Sequence, residues 1–179
     1  MPFTKSIIKQ QFTQSIDTYT LAEQSLSPLI EQAGITLLQC LLSDHKVLCY
    51  GQDDSTFNAQ YCASLLVNRL GTDRPSLPVI PLSNPEKQIY AFGNQDDLLI
   101  IFSTQSTKNV LSAIEAAHAK GLIVILLTGK DPSHHTQLDA QDIEICTPSS
   151  YHTRIHELQL VIIHCLCDII DTHLFGNGD

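Results

Sequence analysis

The sequence predicts an α/β protein: a three-layer, doubly wound sandwich around a five-stranded parallel sheet, preceded by an N-terminal pair of helices. One observation on the sequence and one general rule of chain topology support this prediction. Short runs that are apolar along their whole length alternate with amphipathic segments, as expected when strands are buried on both faces. Right-handed crossovers then place helices on both faces of one sheet. The 179 residues, 43 % of them hydrophobic, suffice for a single domain over residues 1–179.

The core elements follow in order along the chain. The segment between the second and third strands, residues 83–97, is long enough for only a short helix. The expected strands are residues 47–50, 77–82, 98–102, 122–127 and 143–146, and the expected long helices are 55–70, 109–120 and 151–175.

The N-terminal segment predicts two helices. Apolar residues three and four positions apart, from Ile8 to Leu26, indicate an amphipathic helix. Ser27-Pro28 is expected to end it, because the residue before a proline is pushed out of the α region. Residues 29–42 predict a second helix. Neither has an obvious partner in a small α/β core, so residues 1–43 are expected to serve oligomerisation and residues 44–179 to form the core.

Composition limits the function classes. Ten Lys and Arg residues against 19 Asp and Glu residues give a formal charge of −9, which argues against direct nucleic-acid binding. The six cysteines form no CxxC pair and are expected to be small buried side chains in a reducing compartment. The longest apolar run, residues 158–170, is too short and too polar for a membrane span, and the N-terminus does not resemble a signal peptide. We expect a cytoplasmic protein.

Two loops at neighbouring strand ends are the candidate binding elements, residues 51–55 and 103–108. In doubly wound sheets, ligands bind beyond the carboxyl ends of the strands. Ser55, and Ser106 or Thr107, could each cap the helix that follows, which is the ordinary role of such residues. The same helix starts also favour an anion. The occurrence of two such loops favours phosphate binding over capping alone.

An acidic pair in the first loop opposes phosphate binding. Asp53 and Asp54 would repel a phosphate, since like charges 4 Å apart interact by about 1 kcal/mol even in water. The pair could instead hold a hydrated Mg²⁺ ion, but a solvated turn is the simpler interpretation.

Three histidines lie on the last predicted helix. His152 and His156 have the i, i+4 spacing that places two imidazoles on one face, whereas His164 leaves that stripe. A zinc site would need a further ligand, and the sequence offers no clear candidate. We therefore predict no metal site and no confident set of catalytic residues.

Five segments of the chain match the pattern of a known family: VLCYGQDDSTFNAQYCASLLVNRL, DRPSLPVIPL, IEAAHAKGLIVILLTGKD, QDIEICTPS and RIHELQLVIIHCLCDIIDTHLF. On these segments, nearly the whole chain resembles the SIS-domain (sugar isomerase) proteins of the phosphoheptose isomerase and DiaA family. The DiaA branch is favoured by PSLPVIPL, QDIEI and CDIIDTHLF. The resemblance implies a flavodoxin-like SIS fold. It also implies phosphosugar contacts at Ser55, Ser103, Thr104 and Ser106.

The departures from the family pattern concern catalysis. The family's QHxxxE motif on the helix after the first loop implies a catalytic His and Glu, where this chain has Tyr61 and Leu65. On the last helix the family's Gln aligns with His156, and its His is kept as His164. The segment after Leu82, where the family places a substrate-contacting Asp, is shorter here. The family's first loop, G-N-G-x-S-A, reads GQDDST, and the Gly-Asn pair of its second loop is missing.

These losses together predict a non-catalytic protein. By resemblance to the DiaA branch, it would be a homotetramer that binds the replication initiator DnaA in DNA replication initiation, with Leu174 and Phe175 as contacts. At most it would retain phosphosugar (carbohydrate derivative) binding, and no cofactor is expected, zinc included. The alternatives are a sedoheptulose 7-phosphate isomerase that uses His156 and His164, and a sensor that binds a phosphosugar without converting it.

Overall fold

The computed structural model describes residues 2–68, 74–130 and 137–176. Each predicted strand is present to within two residues. The expected helix 55–70 begins at Thr56 and is described as far as Asn68; residues 69–70 lie outside the described part. In chain order the elements are α1 (Pro2–Leu42), β1 (Val47–Gly51), a 3₁₀ turn (Asp53–Ser55), α2 (Thr56–Asn68), β2 (Val79–Leu82), α3 (Pro85–Phe92), β3 (Leu98–Phe102), α4 (Lys108–Ala119), β4 (Ile123–Gly129), β5 (Ile143–Thr147) and α5 (His152–Phe175).

The five strands form one parallel sheet in the order β2-β1-β3-β4-β5. This confirms the doubly wound prediction. The chain builds outward from β1 in both directions, so the point where strand order reverses lies between β1 and β3. Gly51 pairs with Phe102 at the ends of these two strands. The loops that follow them therefore lie side by side, where such sheets bind ligands.

Side chains of β1 show how the sheet divides the core. Val47 and Cys49 point into a cluster formed with α1, α2 and α5. Leu48 and Tyr50 point into the cluster formed with α3 and α4. Alternation along a strand thus gives each sheet face its own helical layer, which is the three-layer arrangement. The short α3 is the only helix that residues 83–97 form, as expected.

The predicted N-terminal helical pair is wrong. The chain forms a single 41-residue helix, α1, with Pro28 inside it. A proline removes one hydrogen bond of the helix and disfavours the preceding turn. Packing overrides this local preference, because Ala22 and Leu26 before Pro28 and Ala33 and Leu37 after it are buried in one cluster.

The two halves of α1 differ in burial. The predicted apolar stripe is buried from Ala22 onward, but its first half is exposed: Ile8 is 54 %, Phe12 68 % and Ile16 60 % accessible. This half is nevertheless tied to α5, because the Arg154 guanidinium donates to the carbonyl oxygen of Gln11 at 2.8 Å. The result is a fixed helix that presents large apolar side chains to solvent.

Helix α5 is long and apolar enough to cross a membrane by length and composition alone. One face of this helix packs in the protein core. Ile162, Ile163 and Leu166 are fully buried among side chains of α1, α2 and the sheet. Its apolar character is therefore explained by packing within the domain.

Replacing Pro28 by alanine tests the continuity of α1. Pro28→Ala restores an N–H that can donate to the carbonyl of Gln24, and should stabilise the protein by up to about 3 kcal/mol. Urea denaturation measures the change in the free energy of unfolding. Glu31→Ala, at an exposed position that already has its N–H, should change it by only a few tenths of a kcal/mol. A less stable Pro28→Ala protein would contradict a continuous helix.

Candidate functional site

The first loop begins at a glycine that the backbone requires. A Cβ at Gly51 would lie 2.2 Å from the carbonyl oxygen of Ser55, so no larger residue fits the 3₁₀ turn that folds back here. Asp53 within this turn has φ of 50°, a left-handed conformation that aspartate tolerates better than most residues. Asp53 and Asp54 are both exposed, consistent with a solvated turn.

The side chain of Ser55 is buried just before the start of α2. The prediction that its side chain caps α2 is wrong: its Oγ is fully buried and makes no hydrogen bond to the described residues. Its backbone N–H donates to the carbonyl of Gln52 at 3.0 Å and fixes the turn. An unpaired buried hydroxyl costs about 1–3 kcal/mol, so this position is one where a ligand oxygen would be stabilising.

The second loop holds the other predicted phosphosugar residues. Ser103 is buried, and its hydroxyl donates to the carbonyl of Gln105 at 2.7 Å. Thr104 and Ser106 follow it and are half-buried. Thr107 caps α4, since its Oγ1 accepts from the N–H of Val110, which confirms one of the two predicted caps. Of the four predicted contacts, Ser55 alone therefore has a buried side-chain oxygen without a partner.

A buried amide pair beneath the loops escaped the sequence analysis. Gln159 of α5 is fully buried and donates to the carbonyls of Ser103 and Leu127, at 2.9 and 3.3 Å. Its side-chain oxygen accepts from the Asn58 amide of α2 at 2.8 Å, and Asn58 also donates to the carbonyl of His156. Two helices and the ends of β3 and β4 are thereby joined. A lone Gln within an apolar run gave no signal of this role.

At the positions where the resemblance implies catalytic groups, the structure shows a tyrosine–histidine pair. The Tyr61 hydroxyl and Nε2 of His164 are 3.0 Å apart, and the rings meet edge-on with centroids separated by 5.8 Å. Leu65, one turn further along α2, packs against the apolar core. A leucine can neither transfer a proton nor bind a metal ion.

The two histidines of the isomerase alternative are not brought together. His156 and His164 are eight residues apart on α5, a rise of about 12 Å. His164 is hydrogen-bonded to Tyr61, whereas His156 lies near Asp54 and His152. Burial lowers the pKa of His156, the negative charge of Asp54 raises it and His152 lowers it further, with a net lowering. The neutral imidazole is therefore favoured at His156.

A small polar cleft opens beside the loops, on the sheet face covered by α3 and α4. Its volume is about 280 Å³, and the Tyr50 hydroxyl at its base donates to Oε1 of Gln52 at 2.5 Å. The cleft adjoins the first loop but contains none of the four predicted phosphosugar residues. It is lined by Tyr50, Ser83, Asn84, Pro85, Glu86, Asn109 and Ser112.

One group of potential metal ligands lies within residues 2–68, 74–130 and 137–176, away from the loops, and was not predicted. His118 Nε2 lies 2.7 Å from a carboxylate oxygen of Asp142, with Asp139 nearby. The Asp142 carboxylate also accepts from the N–H groups of Val124 and Asp139, each at 2.8 Å. Both oxygens of the Asp142 carboxylate therefore accept hydrogen bonds that join α4 to the chain around β4 and β5. We interpret the cluster of His118, Asp139 and Asp142 as structural.

The predicted partner contacts lie at the other end of α5. Leu174 is half-buried against the core, and the Phe175 ring lies over the Arg74 guanidinium with its centroid 5.6 Å from Cζ. Phe175 is 40 % exposed. Nineteen residues separate it from His156, a rise of about 28 Å along the helix. Any partner at Phe175 therefore binds far from the two loops.

Comparison with known proteins identifies the family. A model of the SIS domain matches residues 11–129. The chain belongs to the SIS-domain family. It is 39 % identical over 191 positions to a phosphoheptose isomerase of Colwellia psychrerythraea, covering 96 % of this chain and 97 % of that protein. It is 38 % identical over 187 positions to the DnaA initiator-associating protein DiaA of Edwardsiella ictaluri, covering 94 % and 95 %.

The solved structures agree with this assignment. The structure of a phosphoheptose isomerase from Francisella tularensis superposes with a TM-score of 0.89 at 34 % identity, over 94 % of this chain and 98 % of that one. The sequence comparison also bears on chain length. Since 96 % of 179 residues is about 172, the 191-position alignment leaves about 19 positions of the Colwellia protein without a counterpart. That number agrees with the expectation that the segment after Leu82 is shorter here than in the family.

The pKa of His156 provides a test of the site's electrostatics. Asp54→Asn should lower it further, because the carboxylate that favours the imidazolium is removed. Since the folded pKa lies below the unfolded one, stability should fall as pH drops through about 6.5 toward the folded value. NMR titration of the ring protons measures the pKa. His173→Gln, at the far end of α5, should leave it unchanged, and a raised pKa in Asp54→Asn would contradict the geometry.

Proposed function

We propose that this SIS-domain protein is non-catalytic and acts, like DiaA, as a homo-oligomeric partner of the replication initiator DnaA. The observation that carries the proposal is the Tyr61–His164 hydrogen bond, with the half-buried Leu65 packed against the core one turn away. The resemblance implies a proton-transferring His and Glu at positions 61 and 65. Here the first is a phenol committed to His164, and the second has no ionisable group.

Loss of these groups bears directly on rate. General acid–base catalysis typically contributes a factor of about 10² to 10⁴. Enolisation of a sugar phosphate needs a group that removes a proton and one that returns it. His156 and His164 are the remaining candidates, and they are separated by two turns of helix with different partners. This arrangement supports a scaffold in preference to an isomerase.

The names of the relatives point to both functions. The phosphoheptose isomerase and DiaA relatives are 39 % and 38 % identical to the chain, so overall identity does not separate them. We therefore base the choice on the site. A binding role is also supported by exposed apolar side chains, among them those on the first half of α1 and Phe175.

Self-association gives this proposal a physical basis. The exposed face of α1 around Ile8, Phe12 and Ile16 is the surface expected to pack against other copies, giving the proposed tetramer. Several copies of one contact site raise the effective concentration of a tethered partner without any new contact. Weak contacts at each Phe175 would then add up to firm binding of an assembled initiator.

The first experiment removes the proposed contact. Leu174→Ala/Phe175→Ala should weaken binding to DnaA of the same organism by tenfold or more, since large apolar contacts dominate such interfaces. Surface plasmon resonance with immobilised DnaA measures the affinity. Tyr90→Ala, which removes an exposed aromatic ring on α3, is the matched control and should bind as the parent does. Equal binding by the double variant would show that the site assignment is wrong.

Phosphosugar binding without turnover is the second candidate, favoured by the buried, unpaired hydroxyl of Ser55. Calorimetry with sedoheptulose 7-phosphate should give measurable heat that Ser55→Ala abolishes, because the ligand would satisfy that hydroxyl. Absence of heat at millimolar ligand would count against this candidate. Turnover of the same compound, lost in His164→Ala, would favour the isomerase alternative and overturn the proposed non-catalytic role.

A further inference from the structure

Arg74 is the buried cation at the C-terminal ends of two helices. Its side chain is fully enclosed, and its Nε donates to a carboxylate oxygen of Asp171 at 2.6 Å. The two terminal nitrogens donate to the carbonyls of Leu66 and Leu65, at 2.8 and 3.1 Å. These carbonyls belong to the last described turn of α2. A single guanidinium thus joins the end of α2 to the end of α5.

The same guanidinium supports the ring of Phe175. Its Cζ lies 5.6 Å from the ring centroid, within the range of a cation–π contact. Phe175 is the last residue of α5, and Gly176 follows with φ of 80°. Terminal helical residues normally fray. Asp171 fixes the guanidinium from one turn earlier on α5, so the ring at the end of the helix lies on a support that does not fray with it.

The exposure of Phe175 completes the observation. Its ring is supported on one side and 40 % of the residue remains accessible. A partner would therefore meet an aromatic side chain whose rotamer is already selected. Binding then avoids the entropy loss of ordering that side chain.

We propose that Arg74 is a positioning residue for partner binding: its buried guanidinium, held by Asp171 and by the end of α2, fixes the Phe175 ring in the orientation that the partner contacts. This inference rests on the proposed function, with a DnaA-type initiator as the partner. The surface suits an apolar pocket on that protein, one that accepts a single aromatic ring together with Leu174.

The test compares two buried arginines. Arg74→Lys keeps the positive charge but loses the planar fork that holds Asp171, both carbonyls and the ring. Arg154→Lys is the matched control, because Arg154 is also buried but joins the other half of α5 to α1; analytical ultracentrifugation establishes that both variants keep the parent's oligomeric state, so that binding is compared at equal valency. Both substitutions should lower the urea midpoint. Arg74→Lys alone should weaken DnaA binding, by about 3- to 10-fold, the effect of ordering one side chain during binding.

A second readout follows the ring itself. The chain contains no tryptophan, so Phe175→Trp creates a single tryptophan over Arg74, and the fluorescence of this reporter can be excited selectively at wavelengths that tyrosine does not absorb. Adding Arg74→Lys to this variant should lower its fluorescence anisotropy and increase quenching by acrylamide. Adding Arg154→Lys should change neither. A purely structural role for Arg74 would lower the urea midpoint without releasing the ring.

The outcomes separate this inference from the proposed function. If Phe175→Ala weakens DnaA binding but Arg74→Lys binds as the parent does, or leaves the reporter equally immobile, the positioning role is wrong and the contact site stands. If Phe175→Ala binds as the parent does, the proposed contact site is wrong and the inference falls with it. If Arg74→Lys fails to fold, Asp171→Asn replaces it in both measurements. Asn has nearly the size of Asp but lacks the charge that holds the guanidinium, so the variant tests whether a fixed guanidinium positions Phe175.

Discussion

The buried amide of Gln159 is the interaction on which the site depends. It lies where α5 crosses the sheet and donates to carbonyls at the ends of β3 and β4, while Asn58 of α2 donates to it. Strand ends leave backbone groups unpaired, and a buried unpaired carbonyl or amide costs about 1–3 kcal/mol. Because every amide group in this chain of bonds has a partner, the first turns of α2, the middle of α5 and the second loop keep one relative position. The hydrogen bonds of Asn58 and Gln159 thus fix the relative positions of the two loops.

This support explains how the loops can keep their shape when the residues at positions 61 and 65 differ from the family pattern. The amide network contacts backbone carbonyls, and Gly51 is required by the backbone of the first loop. Neither depends on which side chains stand at positions 61 and 65. Those positions lie on the α2 surface and at the core boundary, where Tyr61 finds His164 and Leu65 finds apolar neighbours. Replacing the family's His and Glu by Tyr61 and Leu65 therefore leaves the fold intact. Ser55, just before the start of the same helix, remains buried with its hydroxyl unpaired.

The strands could be predicted because burial on both faces demands continuous apolar runs, and right-handed crossovers predict helices on both faces of the sheet. Predictions from local sequence failed at positions whose conformation or contacts depend on residues far away in the chain. Pro28 lies inside α1 because packing on both sides of it outweighs one lost hydrogen bond. Ser55 has the right residue type for a cap, but the 3₁₀ turn directs its hydroxyl inward. The partners of Gln159 are 32 to 101 residues away in the chain, so no local pattern could reveal them.

The length of α5 separates the surface beside the two loops from the surface around Phe175. Its first half, with His156 and Gln159, borders the loops, whereas its last turn presents Phe175 about 28 Å away. Substitutions at the loop end alter hydrogen bonds and charges without reaching the last turn, because the helix between them is held by packing along its whole buried face. A change from catalysis to partner binding therefore needs no change of fold. Under the proposed function it needs only the loss of proton-transfer groups at positions 61 and 65 of α2, and an apolar contact at the last turn of α5 beside Arg74 and Asp171.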